Sequence, residues 1–89
     1  MAEILLDGLE IQSVEAVHDR FAQALALPEW YGRNLDALFD CLTDQGGPMT
    51  VRLLHREALE KNLGRRGQAL ISLLHRAALE NPQVTVLES

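Results

Sequence analysis

Three short apolar runs lie far apart in this chain, and helix-forming sequence fills both gaps between them. Glu3-Ile4-Leu5-Leu6 is stopped by Asp7-Gly8. Thr50 to Leu54 follows the break Gly46-Gly47-Pro48, and Val84-Thr85-Val86-Leu87 is a β-branched run near the end. Strands separated by helical segments argue for parallel pairing, with right-handed crossovers. The pattern predicts an α/β fold: a small three-stranded parallel sheet packed against helices, in one domain over residues 1–89.

The helices carry their own start and stop signals. Ser13 is placed to cap the first, with Glu15 in its first turn. Val14, Val17, Phe21 and Leu25 mark its buried side, and Pro28 ends it and opens a loop to Arg33. Asn34 is a good N-cap for a helix from Leu35 to about Thr43. Arg56 to Leu63 reads as a short helix ended by Gly64, and Gly67 to Leu79 as a longer, mostly buried one stopped by Asn81-Pro82. The words LLHREALE (53–60) and LLHRAALE (73–80) match at seven of eight positions. The first continues a strand and the second sits inside a helix, so the match is a chance similarity and not a structural repeat; a solenoid needs at least about three stacked units.

Composition narrows the function classes. The chain has 89 residues, net charge -5 and one cysteine, Cys41. A domain this small without a disulfide fits a reducing cytoplasm. No apolar run approaches a membrane span, and the N-terminus has no basic or extended apolar region of the secretory type. The acidity argues against direct nucleic-acid binding and for a basic protein partner. It is unevenly spread: residues 26–51 hold four acids and one Arg, whereas residues 52–76 hold six bases and two acids.

The segment LPEWYGRNLDALFDCLTD, Leu27 to Asp44, holds the candidate chemistry. Leu35, Leu38, Phe39 and Leu42 give the helix an apolar stripe, which leaves Asp36, Asp40 and Thr43 in a line on another face. Neither acid has a Lys or Arg at i+4, and like charges at that spacing cost an isolated helix about 0.2–0.5 kcal/mol. The only Trp and only Tyr, Trp30 and Tyr31, stand in the loop just before. An aromatic beside exposed charges is the composition of an interface hot spot. One of the two aromatics is expected to tuck beneath the loop. Other readings are a solvated helix face, a catalytic carboxylate pair or a cation site. A short surface helix offers little cleft for a pair, and the spacing lacks the glycine and alternation of a calcium loop.

His18, His55 and His75 show no zinc spacing. His18 reads as a partly buried structural residue, and His55 and His75 as solvated or edge residues. Cys41 lies beside Asp40 and Asp44, which disfavour the thiolate a nucleophile needs. No cofactor motif is present.

This segment resembles the signature of the barstar family, intracellular inhibitors of barnase-type ribonucleases. The shared series is LPE, aromatic-Tyr-Gly, Asn-Leu-Asp-Ala-Leu, aromatic-Asp-Cys-Leu-Thr, and the similarity extends over essentially the whole chain. The resemblance implies a parallel three-stranded sheet on helices. It also implies a non-enzymatic cytoplasmic protein that blocks a basic, extracellular or delivered, guanyl-preferring ribonuclease, with carboxylates standing in for RNA phosphates. By position, Asp40 would be the central contact and Asp36 a second acid. Trp30 would cover the enzyme's catalytic His, Gly32, Asn34 and Leu35 would line the loop edge, Phe39 would flank the central acid, and Thr43 and Glu80 would be outer contacts. The chain departs from the family pattern at Arg33, Gln45 and Arg76, each of which makes the face less negative, and Arg76 is expected to pair with Glu80. These departures leave an alternative: a barstar-like module whose partner is a non-ribonuclease toxin, another nuclease or a regulatory protein.

Overall fold

Alternation of apolar and polar residues builds a half-covered sheet. The computed structural model describes residues 2–29 and 31–89. Its strands are β1 (Ala2–Asp7), β2 (Met49–Leu54) and β3 (Val84–Glu88), and its helices are α1 (Val14–Leu25), α2 (Leu35–Thr43), α3 (Arg56–Leu63) and α4 (Arg65–Glu80). The sheet order is β1-β2-β3 with both pairs parallel, as the spacing of the apolar runs predicts. Ile4, Leu6, Met49, Val51, Leu53 and Val84 are buried. Leu5, Arg52 and Leu87 lie in register across the three strands and stay exposed. Parallel sheets are usually covered on both faces; here one row faces solvent, and Arg52 within it pairs with Glu3 at 2.9 Å.

The helices meet the sheet through a single core. Helix α1 packs on β1, α4 on β3, and α2 and α3 both pack on α4. Val17 and Phe21 of α1 are buried as expected, joined by His18, whereas Val14 and Leu25 are half-buried at the margins. Among the described residues no helix is long and apolar enough to cross a membrane.

One boundary differs from the sequence expectation. Helix α4 begins at Arg65, two residues before the expected start at Gly67. Gly64, with φ 64°, makes the corner between α3 and α4, while Gly67 is helical and buried. A Cβ on Gly67 would lie 3.0 Å from Leu63 Cβ and 3.1 Å from the Leu59 carbonyl, so its role is a close helix crossing and not a break. The two similar octapeptides do adopt different structures. Leu53-Leu54 ends β2 and His55 turns at φ 53°, whereas Leu73 to Glu80 is continuous helix. Both His55 and His75 are exposed, and each is tied to an acid, Asp7 and Glu88 respectively.

The turn after β1 is closed by contacts distant in sequence. Asn62 Nδ2 donates to the carbonyls of Gly8 and Ile11, at 3.0 and 3.1 Å. Gly8 is buried directly against α3: a Cβ there would fall 2.2 Å from the His55 carbonyl oxygen and 2.6 Å from the Leu59 nitrogen. Backbone would have to shift to admit it. Gly8→Ala should therefore cost about 1–3 kcal/mol, the usual scale of overpacking, read as a lower urea midpoint at unchanged slope.

Candidate functional site

The loop before α2 is pinned back onto α1 at two points. Tyr31 is the aromatic that tucks beneath it, only 6% exposed, with its hydroxyl 2.7 Å from His18 Nδ1. Trp30 lies outside the described residues. Burial pushes the Tyr31 phenol up to about 12, with Cys41 adding to the effect. Burial, and then the Arg33 charge, holds His18 below its ordinary range, so the pair is neutral at pH 7. The second point is Arg33. Its backbone takes the left-handed conformation at φ 51°, and its guanidinium donates to the Asp19 carboxylate and the Glu15 carbonyl. The sequence suggests that Arg33 dilutes the negative face. Instead its charge is turned toward α1 and met by Asp19.

Helix α2 is secured at both ends. At the start, Asn34 is extended and its Oδ1 accepts from the Ala37 amide at 2.8 Å, as expected of an N-cap. Its Nδ2 donates to the Gly32 carbonyl at 3.3 Å, which folds the loop edge over the cap. The last carbonyls of a helix have no partners within it, and here side chains supply them. Thr43 Oγ1 donates to the carbonyls of Phe39 and Asp40, and Gln45 Nε2 to that of Cys41. Asn81, buried at the end of α4, donates through Nδ2 to the carbonyls of Leu42, Thr43 and Gln45 at 3.0, 3.3 and 3.1 Å. The sequence marks Asn81 only as a helix stop. Its bonds span 36 to 39 residues, and no local pattern encodes them.

With its ends satisfied, α2 turns its acids outward without internal partners. Asp36, Asp40 and Asp44 are exposed, and among the described residues none forms an ion pair; nor does Glu80. Other acids are paired, Glu10 with Arg20, Asp19 with Arg33, Glu3 with Arg52, and Glu60 and Glu88 with Arg56, while Glu15, Glu29, Glu57, Lys61, Arg65 and Arg66 likewise form no ion pair among the described residues. Leu35 and Phe39 are half-buried against the core, Gly32 and Asn34 are exposed, and Thr43 is half-buried with its hydroxyl turned back onto the helix. Glu80 precedes Asn81, whose side chain bonds to the end of α2.

The expected Arg76–Glu80 pair does not form. Arg76 instead lies over the Phe39 ring, its guanidinium carbon 4.9 Å from the centroid. A surface pair one turn apart is worth only about 0.3–0.5 kcal/mol, and the aromatic face of a neighbouring helix competes with it. Burial, with Asp40 and Asp44 adding to it, pushes the Cys41 thiol up, which suppresses its thiolate. Such a surface presents carboxylates, a half-buried ring and a cation over that ring.

The chain is similar to known proteins over most of its length. The family model described as "Barstar (barnase inhibitor)" matches residues 1–87. A protein of Bacillus subtilis (strain 168) named "Putative ribonuclease inhibitor YrdF" is 36% identical over 81 residues, covering 90% of this chain and 89% of that one.

Two outcomes are expected. Asn81→Ala leaves buried carbonyls without a donor and should cost about 1–3 kcal/mol, read from urea unfolding. The second concerns pH. His18 is held below its ordinary value of 6.5, so as pH falls the unfolded chain takes up this proton first. The His18 contribution is complete above pH 6.5 and is lost as pH drops below it. The carboxyls of Asp7 and Glu88 are held low by the Leu9 amide and by His75 respectively, so they titrate in a separate, more acid window. The urea midpoint should be level from pH 8 to 7 and fall below about 6.5, and His18→Gln should remove that step.

Proposed function

Because the chain belongs to the barstar family, we propose that it is an inhibitor, not an enzyme, and that its partner is a basic, barnase-type, guanyl-preferring ribonuclease. The inhibitor acts in the cytoplasm against an enzyme that is secreted or delivered. It lays α2 and the preceding loop into the enzyme's active site, where carboxylates take the places of RNA phosphates. Asp40 is the central contact and Asp36 the second. Trp30, Gly32, Asn34 and Leu35 form the loop edge, and Phe39, Thr43 and Glu80 surround the acids. No cofactor, metal, nucleic acid or membrane takes part.

The observation that carries this reading is a pair of carboxylates, Asp36 and Asp40, left without ion-pair partners on a helix whose two ends are both fastened. An anion held in place before binding loses little freedom on docking, so more of its attraction appears as affinity. Complementary charge also speeds the encounter with a basic enzyme. Two of the three departures from the family pattern are absorbed within the fold, Arg33 by Asp19 and Gln45 by the Cys41 carbonyl. That weakens the case for the alternative, a module directed at a non-ribonuclease toxin, another nuclease or a regulatory protein.

The test is RNA cleavage by barnase at low salt, with and without the protein. Inhibition should be competitive with RNA and should weaken as salt rises. Asp40→Ala should weaken it by at least about 30-fold, the size of an interface hot spot, on a scale whose upper end was itself set by an acid of this family. Its unfolding midpoint should stay within about 0.5 kcal/mol of the parent, as for other surface changes. Equal inhibition by parent and variant would remove Asp40 from the centre of the contact.

A further inference from the structure

Next to the unpaired acids stands a cation placed over a ring. Arg76 projects from α4 onto Phe39 of α2, and Phe39 directly precedes Asp40. Among the described residues no carboxylate forms an ion pair with Arg76, unlike Arg20, Arg33, Arg52 and Arg56. The charge is therefore not neutralised by an internal ion pair, and the ring favours its placement beside Asp40. A guanidinium over a ring still has N–H groups to offer, and their planar fork matches a carboxylate. Beside it, Leu79 is 86% exposed, so this end of α4 is bare of any covering segment among the described residues.

Helices α2 and α4 thus offer a patterned surface and not a uniformly negative one. A partner that is basic throughout would meet Asp36, Asp40 and Glu80 with attraction and Arg76 with repulsion. A partner with one carboxylate beside its basic cleft would satisfy all four. Like charges brought face to face at an interface discriminate between partners, because the wrong one must bury the mismatch.

We propose that Arg76, held on Phe39, is a specificity-determining residue: it selects a ribonuclease with a carboxylate at the rim of its basic cleft and disfavours one whose rim is basic. This rests on the inhibitor reading above. The ring fixes where the charge stands, and α4 fixes its distance from Asp40.

Inhibition constants against barnase, used as a basic probe, are measured for the parent and for Arg76→Ala, Arg76→Lys and Arg76→Glu, at low and high salt. Arg76→Glu should inhibit at least about tenfold better than the parent, Arg76→Ala should fall between, and the gain should shrink with salt. Arg76→Lys keeps the charge and should stay near the parent. Urea midpoints guard against a folding effect, and Arg76 is exposed enough to be replaced. If the parent inhibits but Arg76→Glu does no better, the role of Arg76 is overturned while the inhibitor reading stands. If neither the parent nor any variant inhibits, the inhibitor reading fails and this inference falls with it.

Discussion

One buried amide holds α2 to the rest of the molecule. The Asn81 side chain closes the C-terminal carbonyls of α2, and its Oδ1 accepts from the Gln83 amide. Its own amide ends α4 by donating to Ala77, and its carbonyl accepts from Val84, the first residue of β3. Three elements are thus fixed relative to one another by a residue that is 6% exposed. Unpaired carbonyls in such a place would be costly, because each would lose water without gaining a partner. The position of every exposed side chain on α2 follows from that closure.

The other end depends on a neutral pair and an ion pair. Tyr31 reaches His18, and Arg33 reaches Asp19, so the loop is stitched to α1 by two contacts that need no metal or disulfide. His18 Nε2 is buried and without a hydrogen-bond partner among the described residues. That buried, one-sided imidazole is favoured only as the uncharged form. The unpaired acids of α2 cost a few tenths of a kcal/mol in mutual repulsion. An asparagine cap such as Asn34 contributes about 1 kcal/mol, so the helix tolerates them.

Much of this was legible from residue order. Alternation and β-branching mark the strands, and the Ser13 and Asn34 caps mark two helix starts to the residue. Short-range rules suffice there because the determining contacts are short-range. They fail where the partner is distant. Gly67 looks like the start of the last helix, which instead begins at Arg65 and carries Gly67 against Leu59 and Leu63. Arg76 looks like a partner for Glu80 until Phe39 arrives from another helix. Arg33 and Gln45 look like surface charge changes until their side chains are seen bonding inward. Asp36 and Asp40 were legible for the opposite reason: lacking internal partners, they stay where helix periodicity puts them.

The fastening of α2 at its ends has a consequence for how such a surface diversifies. The bonds that hold the helix run through the Asn34 side chain, the Asn81 side chain and backbone carbonyls, whereas Asp36, Asp40 and Asp44 contribute no side chain to them. Substitutions at these exposed positions leave the scaffold intact. A lineage can therefore vary the chemistry of this exposed face through neutral drift, without passing through an unfolded ancestor.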